Sequence, residues 1–310
     1  MDKNLISLRI EDGTLKIKDY IKDNILIFDG AMGTMLQKNG LKIGDNPEVF
    51  GFKNPHILKE IHKSYLEAGA DVITTNTFGA NERNLDKLGY TVEEIIHNAV
   101  CVAKSAIEYV DNTKPRFVAL DIGPIGEMLE PMGNLSSDEA YEVFKRQAIQ
   151  GEKSGADLII IETMMDLYEA QIAVLAVKEN TILPVFCTMN FGEDGNSLTG
   201  CTPESMVWKL ENLGVDAIGV NCSLGPKHLI PIVKKISDIA IAPIIVQPNA
   251  GLPEIINDKA YYNVNEQEFY NGVKEFIKLG VRIIGGCCGT NPKFIKTISD
   301  NISNLDITKV

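Results

Sequence analysis

Three cysteines carry the most distinctive chemistry in this chain. Cys287 and Cys288 stand together in V281-R-I-I-G-G-C-C-G-T290, and Cys222 closes a similar apolar run, V215-D-A-I-G-V-N-C222. Each run reads as a buried strand. The glycines before the pair allow a tight turn, so both sulphurs can sit at the strand's C-terminal end. Three thiols with no CxxC spacing fit a closed, four-coordinate structural zinc site poorly; they suit a catalytic site that keeps an exchangeable position. A zinc ion held by three thiolates is net negative, hence a weak activator of water, and is better suited to taking a fourth thiol and deprotonating it. The chemistry indicated is alkylation of a thiolate rather than hydrolysis. The competing reading makes Cys222 a buried core residue and the vicinal pair a redox or incidental feature, because buried cysteine is common.

Such a site needs a scaffold that brings strand ends together. Apolar runs occur at I25-LIFDG30, A70-DVITTNT77, R116-FVALDIG123, A156-DLIIIET163, L183-PVFCTMN190, V215-DAIGVNC222, A242-PIIVQPNA250 and V281-RIIGGCC288, with starts roughly 25 to 46 residues apart. Between them lie segments with apolar residues at helical spacing, several opened by a capping residue, a proline or an acid. Three of these end in related phrases, E-A-G-A-D-V-I, K-S-G-A-D-L-I and E-N-L-G-V-D-A-I, which place a glycine at the helix end and an aspartate before the next strand. Eight strands with eight following helices predict an α/β (β/α)8 TIM barrel in a single domain over residues 25–310, preceded by a short N-terminal extension, residues 1–24. The extension is expected to hold a small hairpin around Glu11–Gly13 and a helix through Lys16–Ile21. A doubly wound open sheet is the competing architecture. Gly30 and Gly33 do not make GxGxxG, so no dinucleotide site is expected.

Composition narrows the function classes. The 310 residues carry a formal net charge of −12, which argues against sequence-independent binding of nucleic acid or an anionic membrane. No apolar run reaches the length of a membrane span, and the acidic, polar N-terminus does not read as a secretory signal. Six cysteines are too sparse for a disulfide framework. A cytoplasmic protein with metal-binding or catalytic cysteines is expected.

Barrel enzymes place their sites at the C-terminal ends of the strands. Those positions hold Asp29, Asn76 and Thr77, Asp121, Glu162 and Thr163, Asn190, Asn221 and Cys222, Asn249, then Cys287 and Cys288. Carboxylates and thiols are poor core fillers, and convergence on one pocket explains them together.

Seven phrases, F28-DGAMGT34, D71-VITTNTFGA80, D121-IGP124, E162-T163, G219-VNCSLGP226, Q247-PNAG251 and G285-GCCGT290, resemble the landmarks of the homocysteine S-methyltransferase family. The wording of N76-TFGA80 and N221-CSLGP226 is similar to the homocysteine-binding domain of its cobalamin-dependent methionine synthase branch. The resemblance, over about residues 15–300, implies a zinc-dependent barrel that passes a methyl group to L-homocysteine and makes L-methionine. It implies one Zn2+ per chain on Cys222, Cys287 and Cys288, with Asn249 completing the set when substrate is absent. It implies that Asp29 and Glu162 hold the substrate amino group and that the Gly30-Ala31-Met32-Gly33 loop cradles its carboxylate with backbone amides. Asn76 is expected in the substrate pocket or, with Thr77, Asn190 and Asn221, as a hydrogen-bond support. The implied donor is methylcobalamin bound elsewhere, on a cobalamin-binding domain or corrinoid protein; S-methylmethionine and betaine are the alternatives. A betaine enzyme calls for an aromatic cage, and E162-TMMD166 offers methionines. A non-enzymatic zinc-binding or redox-regulatory barrel is the reading from another class. Asp121 is expected to support the barrel mouth or touch substrate, and Cys101, Cys187 and Cys201 to stand outside the metal set. Met32, Met35, Met128 and Met132, with the loops 127–133 and 196–200, are expected to pack or to shape the mouth.

Overall fold

The computed structural model describes residues 13–110, 114–256 and 259–302. The hairpin expected around residues 11–13 falls outside them except for Gly13, which already opens a helix, Gly13–Asp23. Strands β1 (Leu26–Ile27), β2 (Val72–Thr74), β3 (Phe117–Ile122), β4 (Leu158–Met164), β5 (Val185–Met189), β6 (Ala217–Asn221), β7 (Ile244–Gln247) and β10 (Ile283–Ile284) form one parallel sheet. Between β7 and the helix Glu266–Lys278, strands β8 (Pro253–Ile256) and β9 (Lys259–Tyr262) make an antiparallel hairpin, which the sequence reading does not contain. The sheet order is β1-β10-β7-β6-β5-β4-β3-β2. A parallel bridge from Phe28 to Val72 joins the two outer strands, supported by Asp29 N–H donating to the Val72 carbonyl at 2.9 Å and Asp71 N–H to the Ile27 carbonyl at 2.6 Å. The fold is a (β/α)8 barrel, and all eight apolar runs supply its strands.

Period-two alternation explains why those runs are apolar on both sides. Leu26, Phe28, Val72, Phe117, Ala119, Leu158, Ile160, Phe186, Ala217, Ile245 and Ile283 form the barrel interior. Their neighbours Ile27, Ile73, Val118, Leu120, Ile159, Ile161, Val185, Ile218, Val246 and Ile284 pack outward against the helices.

The repeated Gly-x-Asp phrase has a mechanical role. Its glycine ends the helix in the left-handed region, with φ of 103° at Gly69, 90° at Gly155 and 77° at Gly214. The aspartate then accepts an N–H from the first or second residue of the preceding barrel strand at 2.8 Å: Asp71 from Ile27, Asp157 from Val118 and Asp216 from Val185. Each otherwise unpaired strand-start donor is satisfied by the next strand's carboxylate, which fixes relative height around the ring.

The helix Gly13–Asp23 closes the bottom of the barrel. Ile17 and Ile21 are buried in the interior cluster beneath Leu26 and Phe117, and Lys18 pairs with Asp216. The expected extension therefore contributes directly to the barrel core. Among the described residues no helix is long and apolar enough to cross a membrane.

Replacing Ile21 by Ala should lower unfolding stability by about 2–4 kcal/mol, the usual cost of emptying a buried isoleucine site. Lys22→Ala, on the exposed face of the same helix, should change it by less than about 0.5 kcal/mol. Urea denaturation compares the two, and an Ile21→Ala variant as stable as the parent would show that the helix is no plug.

Candidate active site

The alternation that buries the interior also selects what reaches the mouth. Counting two residues on from the apolar layer gives Asp121 after Ala119, Glu162 after Ile160, Thr188 after Phe186, Gln247 after Ile245 and Gly285 after Ile283. Polar and small residues thus follow apolar ones at the C-terminal end of the same strand faces.

The structure brings Cys222, Cys287 and Cys288 together: their sulphurs all lie within 4.8 Å of one another, with Cys222 Sγ 4.0 Å from Cys288 Sγ. The backbone that places them is tied down. The tail of β7 runs between the two cysteine segments. Gln247's carbonyl accepts the Cys222 N–H at 3.0 Å and Pro248's carbonyl accepts the Cys287 N–H at 2.8 Å, while Ala250 N–H donates to the Cys288 carbonyl at 2.9 Å. Thr290 Oγ1 donates to the Cys287 carbonyl at 2.7 Å and closes the turn from within. Glycine is required at 285, where a Cβ would lie 2.8 Å from Phe28 Cβ and 3.0 Å from the Asp29 carbonyl oxygen. The strand end therefore packs close against β1, carrying the cysteine turn toward Asp29.

Among the described residues three non-glycines adopt left-handed backbone, and all lie at this rim: Thr163 (φ 59°), Cys222 (φ 61°) and Ser223 (φ 52°). Such conformations cost on the order of 1–3 kcal/mol each, and a β-branched threonine is the least suited to them. Asn221 holds the first in place. Its Oδ1 accepts from Thr163 N–H and from Thr188 Oγ1, each at 2.8 Å, and its Nδ2 donates to Thr163 Oγ1 at 2.7 Å. Ser223 Oγ donates to the Phe191 carbonyl at 2.6 Å. Asn221 is a support, as one of its expected roles had it.

Hydrogen bonds from Cys222 and then Cys287 hold the Cys288 thiol low, at about 3, against the opposing effect of burial. Hydrogen bonding to Cys222 and Cys288, followed by burial, pushes Cys287 well up. One anionic sulphur is thus stabilised by its neighbours, a charge distribution suited to a cation. Three clustered thiols form a soft donor set that fits zinc. Asn249, between Pro248 and Ala250, is also buried, and its Oδ1 has no hydrogen-bond partner, which fits an additional oxygen donor beside the pair.

The acids form a second group. Asp29 is buried and accepts from Thr74 N–H at 2.8 Å and Thr74 Oγ1 at 3.0 Å. Burial nevertheless raises its pKa to about 8, with the charge of Glu162 adding to the effect. Glu162 rises to about 7 through burial and then the negative charge of Cys288. Asp121 is pushed well up by burial, then by Glu162, Asp29 and Glu48; its Oδ1 has no partner. These carboxyls are held toward their neutral forms by a low-dielectric site and one another.

The remaining expected residues divide by what they touch. Ala31 N–H donates to Thr290 Oγ1 at 3.1 Å and its carbonyl accepts from Tyr65 OH at 2.9 Å, so both backbone groups of this member of the Gly30–Gly33 loop are already paired with side-chain hydroxyls. Gly33 begins a helix, Gly33–Lys38. Asn76 Nδ2 donates to the Pro47 carbonyl at 2.8 Å, a brace to the helix Pro47–Lys53. Thr77 Oγ1 donates to the Asp121 carbonyl at 2.7 Å, and Asn190 N–H to the Met164 carbonyl at 2.9 Å. Cys187 is fully buried in the outer core. Cys201 donates to the Thr202 carbonyl at 3.2 Å. Cys101 is exposed beside His97.

Tyr262, at the end of β9, is the neighbour absent from the sequence reading. Its ring packs on Gly289, next to Cys288, and burial followed by the Cys288 charge raises its pKa. The available signal was the pair of short runs E254-I-I256 and A260-Y-Y262, rich in residues that favour strands.

Above the mouth, the loops after β3, β4 and β5 enclose a cavity of about 360 Å³ lined in part by Met128, Met132, Met165, Tyr168 and Leu198. These five side chains are exposed. A larger hollow of about 500 Å³ lies at the opposite end, lined by Lys18, Ile21 and Arg282 among others; in a barrel that end serves stability.

The family model for homocysteine S-methyltransferase matches residues 26–302. Methionine synthase of Mycobacterium tuberculosis is 30% identical over 302 residues, covering 93% of this chain and 25% of its own length. That of Mycobacterium leprae is 31% identical over 303 residues, again with 93% and 25% covered. The chain spans about a quarter of the length of these curated relatives. The metallated form of the homocysteine methyltransferase MmuM from Escherichia coli superposes with a TM-score of 0.79 at 21% identity, covering 94% of this chain and 100% of that one. At that identity the superposition speaks for the barrel alone. The profile match, which runs from β1 to the last described helix and takes in the three clustered cysteines, places this chain in the homocysteine S-methyltransferase family.

Proposed function

We propose that this barrel transfers a methyl group to the thiolate of L-homocysteine, giving L-methionine, with one Zn2+ on Cys222, Cys287 and Cys288. The observation carrying this reading is the meeting, in one barrel mouth, of three clustered thiols with Asp29 and Glu162, whose charged forms burial disfavours. When bound, the zinc would supply an exchangeable position that takes a substrate thiol and lowers its pKa. The chain's own residues do the rest. The β7 tail and Thr290 keep the donor sulphurs at fixed spacing before substrate arrives, which limits the ordering that binding must supply. Asp29 and Glu162 receive the amino group. Gly30, Ala31 and Gly33 are proposed at the carboxylate end, with Ala31 exchanging its Thr290 partner for substrate, and Asn76 supports the pocket through the helix Pro47–Lys53. Asn249 is the proposed fourth ligand in the substrate-free protein. The methyl–sulphur bond forms as the donor's bond to the same methyl carbon breaks.

For the donor we infer methylcobalamin presented by a separate domain or protein. The similarity to methionine synthases supports this, as do the exposed Met128, Met132, Met165 and Leu198 around a mouth cavity of about 360 Å³, suited to a bulky apolar face. We likewise propose residues 25–310 as the methyltransferase barrel, closed at its base by the helix Gly13–Asp23, in a cytoplasmic setting.

Zinc-loaded protein given homocysteine and methylcobalamin should form methionine, whereas S-methylmethionine or betaine should give little. Cys222→Ala should lose both product and bound zinc, measured by chromatography and metal analysis. Turnover only with one of the small donors would replace the donor assignment, and failure with all three donors while zinc is retained would overturn methyl transfer.

The acids predict a proton linkage. Asp29 at about 8 and Glu162 at about 7 are largely protonated at the acid end of the neutral range. An ammonium group beside them favours their ionised forms, so both pKa values fall on binding and protons are released between the bound and free values. Affinity for the product methionine should therefore rise from about pH 6 to about pH 8 and then flatten. Calorimetry in buffers of different ionisation enthalpy measures the release directly; a proton count of zero near pH 6.5 would remove these residues from the amino-group site. Glu162→Gln should raise KM for homocysteine at least about tenfold, the scale of one lost charged hydrogen bond.

A further inference from the structure

The β8–β9 hairpin reaches from the end of β7 to the cysteine turn. Its base is joined to that turn through the chain at Ala250, whose N–H donates to the Cys288 carbonyl at 2.9 Å and whose carbonyl accepts from Val264 N–H at 3.0 Å. Tyr262 lies between these anchors and the turn. Its ring packs so closely on Gly289 that a Cβ there would lie 2.3 Å from Tyr262 Cγ and 2.5 Å from Cδ2. Gly289 is left-handed as well, with φ 82°, so it is suited both to the turn and to the aromatic face above it. The ring is thereby held against the cysteine turn, on the residue that follows Cys288. Thr290, whose hydroxyl donates to the Cys287 carbonyl, holds the turn from its other end.

We propose that Tyr262 is a positioning residue for the metal centre, its hydroxyl donating to the Cys288 sulphur so that this sulphur is oriented and part of its negative charge is carried by the hydrogen bond. The inference rests on the zinc reading of the three cysteines and adds a partner from outside the eight strand ends. Three thiolates on one divalent ion leave an excess negative charge, and a donor to one sulphur stabilises it. The same donor draws electron density away from that sulphur, leaving it a poorer electron donor to the ion and favouring uptake of a further thiolate.

Tyr262→Phe removes the hydroxyl and keeps the ring on Gly289. This variant should take up one metal ion per chain with zinc affinity lowered about tenfold, as expected for the loss of a hydrogen-bond partner to a metal ligand, measured by competition with a chromophoric chelator. In the Co2+-substituted protein its thiolate-to-metal charge-transfer band should move to longer wavelength, because the sulphur electrons are less tightly held. Tyr261→Phe, the exposed neighbour on the same strand, should change neither quantity. A Tyr262→Phe protein matching the parent in both affinity and spectrum overturns the inference and leaves the zinc reading intact, as does a Tyr261→Phe protein with equal effects. A parent protein that takes up neither zinc nor cobalt overturns both.

Discussion

The site depends on one stretch of backbone, residues 247–250, held between two others. Cys222 and the Cys287–Cys288 pair follow β6 and β10, which are separated in the barrel by β7. Sulphurs on strands two places apart do not meet unless their backbones bend toward each other beyond the sheet. The β7 tail sets that bend, accepting from Cys222 N–H through Gln247, accepting from Cys287 N–H through Pro248 and donating to the Cys288 carbonyl from Ala250. Pro248 has no N–H to offer a regular ladder, so the sheet pattern stops there and irregular pairing takes over. The sulphur cluster is therefore a property of three consecutive barrel strands rather than of the cysteines alone.

That arrangement has an energetic consequence. Left-handed backbone at Thr163, Cys222 and Ser223, together with buried carboxyls at Asp29 and Asp121, are unfavourable features gathered at one end of the barrel. They persist because the other end is built differently: aliphatic layers, the Ile17 and Ile21 plug, and aspartates that satisfy strand-start donors. The division follows chain direction. In a parallel barrel every strand enters at the same face and leaves at the other, so stabilising residues can collect at the entrances and chemically useful ones at the exits. Asn221 shows the coupling in one residue, its amide bonded to Thr163 and Thr188 while the next residue is a clustered cysteine.

Much of this was readable from the chain because it is written in short-range patterns. Strand runs, helix-ending glycines and the aspartates after them are local, and the barrel follows from counting them. The convergence of Cys222 with Cys287 and Cys288 also follows once each is placed at a strand exit. Which polar residues are spent on one another is set by tertiary neighbours rather than by local pattern. Asn76 and Asn221 are of one type at equivalent places, yet the first braces a helix and the second locks a strained turn, a difference set by neighbours distant in sequence. The role of helix Gly13–Asp23 is not legible locally, because Ile17 and Ile21, with Tyr20 beside them, meet a barrel interior built from strands distant in sequence.

The hairpin was missed for a more instructive reason. Its strands are short, and their pairing lies outside the barrel rhythm that organised the rest of the reading. Loops at strand exits are free to vary because the barrel's stability does not depend on them. They are also the segments closest to the site, so the least periodic parts of the chain make intimate contacts with its most conspicuous residues. Tyr262 against Gly289 and Cys288 is such a contact. Reading a barrel of this kind by strand ends alone recovers the atoms that can hold an ion or a substrate, whereas the groups that adjust those atoms must be sought in the insertions between strand and helix.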